Sequence, residues 1–330
     1  MSSNIFSSSL APRLQAFFDT RQTLGRKGHV DRKILTYLDR FLAKALKPGQ
    51  PITRELVQLW VDQMQHLSVV TRINRICVLR QFCVYLSHFD PRTYIVEPRF
   101  LPRRVRPAPH IYTKQEVCSI MAAARKVGPR GSLRPEVIST LIGLLYATGL
   151  RIGEALNLTL ADVNLKGSCL IIHRTKFDKS RYVPLSSSTV RQLNSFLYKR
   201  KKAGFSIKPT APVFVNPNGQ SYGASTVYTV FLEIVRDLKL RGPKGERGPR
   251  IHDFRHSFAV NRLAAWYKQG IDLSTKLPLL ATYLGHTTMI CTGVYLHATA
   301  ELLEKTNRRF HNHFMIPSFI HEEDNHVKNN

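Results

Sequence analysis

Between Pro91 and Pro109 the chain reads PRTYIVEPRFLPRRVRPAP, and its five prolines exclude regular helix across that stretch. A break of this kind in a chain of 330 residues, long enough to bury two cores, predicts two domains joined by a linker. The expected boundaries are a serine-rich, disordered start at 1–9, a helical domain at 10–95 and a basic linker at 96–110. A larger domain at 111–316 and a tail at 317–330 follow. Arg103, Arg104 and Arg106 give the linker a charge suited to a strap along a polyanion.

The predicted fold class is mainly α with a small antiparallel β-sheet: an N-terminal helical domain, then a mixed α/β domain. Leu14, Phe17 and Phe18 open a short amphipathic helix. Ile34, Leu35, Leu38, Phe41, Leu42 and Leu46 make one apolar face of a second, which Lys47, Pro48 and Gly49 end. Thr53 reads as the N-cap of a third helix carrying Leu56, Leu59, Trp60 and Met64. Ser68 precedes a fourth, with Ile73, Ile76, Cys77, Cys83, Val84 and Leu86 as its stripe. Arg72, Arg75 and Arg80 lie off that stripe, where a solvated basic face and a row of DNA contacts are equally compatible readings.

The second domain opens on a capping-box pattern, Thr113 with Glu116, ahead of Val117, Ile120 and Met121. The run VISTLIGLLYATGLRIGEALNLTL predicts a core helix that breaks near Gly149 and resumes at Arg151. Strands are expected at Cys169 to His173 and Arg181 to Leu185, which makes RTKFDKS a hairpin tip carrying Lys176 and Lys179. Val227, Val230, Phe231, Ile234, Val235 and Leu238 mark a later helix, and RGPKGERGPR after it reads as a mobile basic loop.

Forty-nine Lys and Arg against 22 Asp and Glu give a formal charge of +27, the footprint of a protein that lies on nucleic acid. No stretch approaches the roughly 20 apolar residues of a spanning helix, and MSSNIFSSSL lacks the pattern of a secretory leader, so a cytoplasmic, nucleoid-associated location is expected and a membrane role is not. Five cysteines, Cys77, Cys83, Cys118, Cys169 and Cys291, contain no C-x-x-C pair. They predict neither a disulfide framework nor a zinc site, and read as reduced, mostly core residues.

The chemistry concentrates between Ile251 and Ala298. His252 and Arg255 stand in IHDFRHSF, His286 in YLGH, and Tyr295 nine residues after His286 in TGVYLHA. A tyrosine grouped with one arginine and two histidines suggests a phenolic nucleophile whose partners suit the charge of a phosphodiester. His256 competes with His252 for the role of base. Tyr283, on the apolar face of LLATYL, is better explained by packing.

These motifs together resemble the tyrosine recombinases of the phage-integrase superfamily. LYATGLRIGEALNL, TKFDKSRYVPL, HDFRHSFA, and LGH followed by TGVYLH stand in that family's order and near its spacing. The resemblance implies a helical core-binding domain followed by the catalytic domain. It implies that Tyr295 attacks the scissile phosphate, that Arg151 and Arg255 bind its non-bridging oxygens, and that Lys176 protonates the leaving 5′ oxygen. His252 and His286 complete the set, and Glu154 fixes the first arginine. Strands would be cleaved and rejoined through a 3′-phosphotyrosine and a Holliday junction, without metal, ATP or other cofactor.

The partners so implied are double-stranded DNA and three further copies of the chain, a homotetramer on two DNA sites, with a directionality factor or companion recombinases as further partners. Two departures accompany the match: extra residues around AAWYKQGIDLSTKLP, and Phe177 and Asp178 where small residues are common. After the nucleophile, Leu302, Leu303, Phe310 and Phe314 recur at helical spacing; such a face either folds back over the chain's own active site or, as the resemblance favours, docks on a neighbouring protomer as an assembly element. Two rival readings keep the fold and change the activity: a DNA-binding regulator without chemistry, and a type IB topoisomerase that relaxes strands rather than exchanging them.

Overall fold

A computed structural model of the chain describes residues 6–24, 29–101, 108–129, 131–173, 180–243, 245–285 and 295–296. They fall into two units, Met1–Pro107 and Ala108–Asn330. Among the described residues no helix is long and apolar enough to cross a membrane.

The first unit contains α1 (Ala11–Thr23), α2 (His29–Ala45), α3 (Arg54–Asp62) and α4 (Val69–Ser87). The predicted caps form: Thr53 accepts from the Leu56 N–H and Ser68 from the Thr71 N–H, each at 3.3 Å. Such caps satisfy backbone donors that a helix start leaves open, and so fix where α3 and α4 begin. Leu14, Phe17, Leu35, Leu38, Leu42, Trp60, Leu79 and Phe82 fill the core between the helices. Each such side chain contributes roughly 1.5–3 kcal/mol by leaving water. Arg21, also buried, joins three helices: its guanidinium bonds Asp31 of α2 at 2.6 and 2.9 Å and contacts Gln81 of α4.

The helix faces differ from expectation in detail. On α4 the buried residues are Ile76, Val78, Leu79, Phe82, Cys83 and Leu86, while Val84 is exposed. On α3 Val57 is buried and Leu59 is exposed. A mixed sequence such as VVTRINRICVLRQFCVYLS carries more apolar residues than one face can bury, so spacing alone did not select the face.

Two boundary expectations are corrected. Residues 6–9 are not a disordered start: Phe6 and Ser8 are buried, and Asp39 of α2 accepts from the Ser7 and Ser8 N–H groups at 2.8 and 2.9 Å. The front of the expected linker also belongs to the first unit. Val96 is buried, Pro98–Phe100 forms a 3-10 turn, and Phe100 packs edge-on to Tyr94 at 6.3 Å. Proline at the first position of that turn costs no hydrogen bond, which is why the five-proline stretch still admits it. Residues 102–107, with Arg103, Arg104 and Arg106, lie outside the described residues.

The second unit is built on α6 (Arg134–Thr148), apolar on all sides, with Val137, Ile138, Leu141, Ile142, Leu144 and Leu145 buried. Around it stand α5 (Lys114–Ala124), α7 (Ile152–Leu156), α8 (Ser187–Lys202), α9 (Ala224–Asp237), α10 (Asp253–Lys268) and α11 (Leu273–Leu284). The Thr113 and Glu116 capping box forms as predicted. A three-stranded antiparallel sheet, ordered β1 (Val163–Asn164), β2 (Cys169–Ile172), β3 (Arg181–Pro184), pairs Leu170 with Val183 and Ile172 with Arg181. Leu170, Ile172 and Val183 point into the core while Tyr182 is exposed, the alternation a sheet with one wet face requires.

Helix α8 was not anticipated. Its sequence SSTVRQLNSFLYKRKK buries only Leu193, Phe196 and Arg200, too few apolar positions to announce a periodic face. Arg200 is held by the Ser206 and Pro212 carbonyls at 2.6 and 2.9 Å. Nor is the loop at 241–250 a loose one. Arg241 donates to the carbonyls of Gly248, Pro249 and Glu246 at 2.8–3.0 Å, so one guanidinium gathers a segment that glycine and proline keep out of regular structure. Of the described cysteines, Cys77, Cys83, Cys118 and Cys169, all free, only Cys83 is buried and Cys118 is exposed, which corrects the expectation of mostly core positions. Burial pushes the Cys83 thiol up to about 12, so it stays protonated and inert.

Because Asp39 answers buried backbone donors, Asp39→Ala is expected to destabilise the first unit by about 1–3 kcal/mol. The measurement is the urea midpoint together with amide exchange at Ser7 and Ser8; unchanged protection there would show that Asp39 does not anchor the start of the chain.

Candidate active site

Two helices end in glycine at the same place. Gly149 closes α6 at φ 64° and Gly285 closes α11 at φ 66°, left-handed conformations that favour glycine. A Cβ on Gly149 would also come within 2.7 Å of the Phe258 ring. Both turns leave carbonyls at the negative ends of their helices, and Arg255 of α10 takes one from each. Its guanidinium donates to Gly149 O at 2.9 Å and to Leu284 O at 2.5 Å. Arg255 is 1% exposed. Burial and the nearby Arg151 charge lower its pKa to about 10, which still leaves it protonated at neutral pH.

α10 is placed by Tyr112 from the other side. The Tyr112 ring stacks on Phe254 at 4.4 Å, its N–H donates to Ser257 Oγ at 2.8 Å, and its hydroxyl donates to the Arg250 carbonyl at 3.1 Å. Asp253, at the start of the helix, is buried and paired with Arg250 at 2.7 Å.

Arg151 stands at the N-cap position of α7, where the helix was expected to resume, and Glu154 reaches back to it. One carboxylate oxygen accepts from the Arg151 N–H at 3.1 Å and the other from its guanidinium at 2.9 Å. Arg151 also donates to Gly285 O at 3.3 Å, yet its side chain remains 38% exposed. A second guanidinium, Arg181 at the start of β3, meets both Glu154 oxygens at 2.8 and 3.2 Å. Burial alone would raise the Glu154 carboxyl, but the bonds and charge of Arg181, followed by the Arg151 contacts, hold it below the ordinary carboxylate value.

Tyr295 sits at 3% exposure in a cluster with Ala259, Val260, Leu263 and Ala264 of α10 and Leu280 and Leu284 of α11. Its ring centroid is 5.4 Å from that of His256, which in turn meets His252 edge-on at 4.9 Å. Crowding on one side of the otherwise exposed His252 ring, followed by the Arg255 charge, holds its pKa below the imidazole range. Burial and the neighbouring His252 push His256 down to about 4, against the opposing pull of Asp253. Its Nδ1 has no hydrogen-bond partner among the described residues. Both histidines are therefore neutral at pH 7, the form that accepts a proton.

The structure thus brings Arg151, Glu154, His252, Arg255 and Tyr295 together. Lys176 and its competitor Lys179, His286, and the tail with Leu302, Leu303, Phe310 and Phe314 lie outside the described residues. Arg181 was missed, because nothing in its spacing distinguishes a strand arginine aimed at a buried carboxylate from one facing water. In the first unit Arg72, Arg75 and Arg80 are all partly buried. Arg72 donates to Gln65 at 2.9 Å, and Arg75 lies over the Tyr37 ring at 4.2 Å. Tyr283 packs as expected, stacked on Phe258 at 5.3 Å.

Because His256 binds its proton less readily when folded, stability is fully present above about pH 6.5 and falls as acidification proceeds toward pH 4, the unfolded chain taking up the proton first. His252 acts in the same direction, and Arg250, Arg255 and Asp253 are the other charges that set it. His256→Gln should flatten the slope of unfolding free energy between pH 6.5 and 4, read from urea titrations across that window. An unaltered slope would show that His256 is not the group responsible.

The profile of the phage integrase family matches residues 111–301, which include Arg151, Glu154, Lys176, Arg181, His252, Arg255, His256, His286 and Tyr295 but not the tail from Leu302. A putative integrase/recombinase of Sinorhizobium fredii, y4rB, is 34% identical over 306 residues, 92% of this chain and 97% of its own. The tyrosine recombinase XerC of Chlamydia caviae is 26% identical over 273 residues, 81% of this chain and 80% of its own. A crystal structure of the XerH site-specific recombinase bound to a palindromic difH substrate covers 90% of this chain and 83% of that one, with a TM-score of 0.65 at 21% identity, and so shares the fold. The helix ends, paired guanidiniums and sequestered tyrosine are thus set in a family's own catalytic segment: the chain belongs to the phage integrase family and is a tyrosine recombinase, a DNA strand-transferring enzyme.

Proposed function

We propose that this recombinase exchanges DNA strands by attack of Tyr295 on a scissile phosphate held by Arg151 and Arg255. The observation that carries the reading is a surplus of fixed positive charge: Arg151, Arg181 and Arg255 converge on the single carboxylate of Glu154 and a few carbonyls, beside a tyrosine packed on the same α10. An anionic phosphodiester completes that set. As the phenol oxygen bonds to phosphorus its proton passes to His252, and the bond to the 5′ oxygen breaks as Lys176 donates a proton there. His286 adds a donor to the phosphate. The charge that grows on the equatorial oxygens is met by guanidinium forks, so electrostatic positioning does the catalytic work. The 3′-phosphotyrosine keeps the bond energy, and a partner strand's 5′ hydroxyl reseals it through a Holliday junction without ATP.

Exchange of strands, rather than relaxation, requires two sites and four protomers. We assign the tail beyond Tyr295 to a neighbouring protomer, against a groove of about 400 Å³ lined by Phe258, Trp266, Leu279 and Tyr283. Leu279 in that groove is 59% exposed. The helical first unit supplies further DNA contacts, Arg72, Arg75 and Arg80 among them, and the enzyme works where the DNA lies, in the cytoplasm and on the nucleoid.

Tyr295→Phe removes only the attacking oxygen and keeps the ring in its cluster. It should bind DNA as the wild type does while covalent trapping on a nicked suicide substrate falls by about 10³-fold or more. Trapping at the wild-type level would place the nucleophile elsewhere.

Lys176→Ala should slow cleavage of an ordinary substrate by about 10²–10⁴-fold. A substrate with sulfur in place of the bridging 5′ oxygen should recover most of that rate, since a thiolate leaves without protonation. Recovery in Lys179→Ala instead would move the acid by three residues.

A further inference from the structure

No step of the chemistry proposed above is assigned to Arg181, yet its guanidinium makes three hydrogen bonds to the site's framework. Its side chain is 10% exposed. Two nitrogens meet the two Glu154 oxygens at 2.8 and 3.2 Å, and Nε donates to the Tyr283 carbonyl at 2.7 Å. Gly285 lies directly against it: a Cβ there would stand 3.0 Å from Nη1. Its backbone pairs with Ile172, the two positions flanking in sequence the segment that contains Lys176. One buried side chain therefore ties together the paired strands β2 and β3, the start of α7 at Arg151, and the Tyr283–Gly285 turn, in which the Leu284 carbonyl holds Arg255.

We infer that Arg181 is a positioning residue for strand cleavage, acting through Glu154 and the Tyr283–Gly285 turn rather than on the DNA. Its fork is spent on a carboxylate, which neutralises it, whereas Arg255 among the described residues bonds only carbonyls and keeps its charge for the phosphate, so Arg181 is not assigned as a phosphate ligand. Its charge also decides how Arg151 is held. Glu154 is 11% exposed and divides its negative charge between two guanidiniums, so Arg151 is oriented without being fully neutralised and keeps an open face for the phosphate. Without Arg181, Glu154 has Arg151 as its one cationic partner among these groups and draws it inward. A lysine cannot replace the fork, because a single ammonium does not match two carboxylate oxygens and a carbonyl in one plane.

This inference rests on the assignment of Tyr295 as nucleophile, so its test includes Tyr295→Phe. Full-length wild type, Arg181→Ala, Arg181→Lys, Glu154→Gln and the Arg181→Ala/Glu154→Gln double variant are compared for DNA affinity and for single-turnover cleavage of a nicked suicide substrate. The expected result for Arg181→Ala is near-wild-type DNA affinity with a cleavage rate constant lower by about 100-fold, the scale of a small misplacement of reacting groups. Added guanidinium ion should restore part of that rate in Arg181→Ala and none in Tyr295→Phe, a recovery that a general loss of folding would not show. Arg181→Lys, which keeps the charge and the buried stem, should be slow as well, and it carries the test if the alanine variant does not fold. The double variant should be no slower than the slower single variant, since both act on one link. Wild-type cleavage by Arg181→Ala or Arg181→Lys, or effects that multiply in the double variant, would overturn the inference. Covalent trapping by Tyr295→Phe would overturn the nucleophile assignment itself, a separate and recognisable outcome.

Discussion

A guanidinium shut away from water must have its charge met by fixed dipoles, and the catalytic unit is arranged around that demand at Arg255. Neither carbonyl that receives it comes from its own helix. One is Gly149 O, at the end of α6, and the other is Leu284 O, at the end of α11. Both helix termini must therefore converge on α10, and each does so by stopping in a left-handed glycine. Helix C-termini are where the backbone carries partial negative charge with unspent acceptors. The fold uses them to hold a cation that a carboxylate would neutralise outright.

That distinction explains the electrostatics of the whole site. A carboxylate beside each arginine would leave no net charge to attract a phosphate, whereas carbonyl dipoles orient a guanidinium and leave its charge in place. Among the described residues Glu154 is the one acid hydrogen-bonded to Arg151 or Arg181, and it is divided between the two, while Arg255 bonds carbonyls alone. Arg255 consequently feels Arg151 as a like charge, which contributes to its lowered pKa. Like charges held this close are costly in the absence of an anion, and the phosphodiester of the proposed mechanism relieves that cost. On that mechanism the excess of 27 positive charges over the chain draws DNA near, and this local imbalance holds one phosphate of it.

Sequence disclosed the parts of this arrangement whose signals are local. Thr53, Ser68 and Thr113 announced helix starts because a cap is a matter of adjacent residues, and Gly149 announced a helix end for the same reason. The Arg151, Glu154, His252, Arg255 and Tyr295 set was legible because the motifs carrying them are short and ordered. What escaped depends on distant partners. Arg181 meets Glu154 across 27 residues and Tyr283 across 102, and no spacing rule reaches that far. Arg241 and Arg200 likewise organise loops by binding carbonyls, a use of arginine that composition records only as charge. Helix α8 was missed because its buried face is small, and Phe6 because a serine-rich flank masked one residue that packs.

The position of Tyr295 adds a last consequence. At 3% exposure its ring belongs to the cluster that joins α10 to α11, so the proposed nucleophile is also a piece of the core. The same helix that offers it an apolar bed presents His256 and His252 in a row leading outward, both neutral and both able to take a proton. On the proposed mechanism a phenol so enclosed must leave that bed to reach a phosphorus atom, and its departure takes a ring out of the apolar cluster of α10 and α11. The apolar area lost makes exit unfavourable until something compensates, and the phosphate's attraction for the Arg255 and Arg151 guanidiniums is the compensation nearest at hand. On that mechanism burial of the proposed nucleophile and surplus charge at the proposed anion site are opposite sides of one balance, the first favouring the stowed tyrosine and the second its release onto DNA.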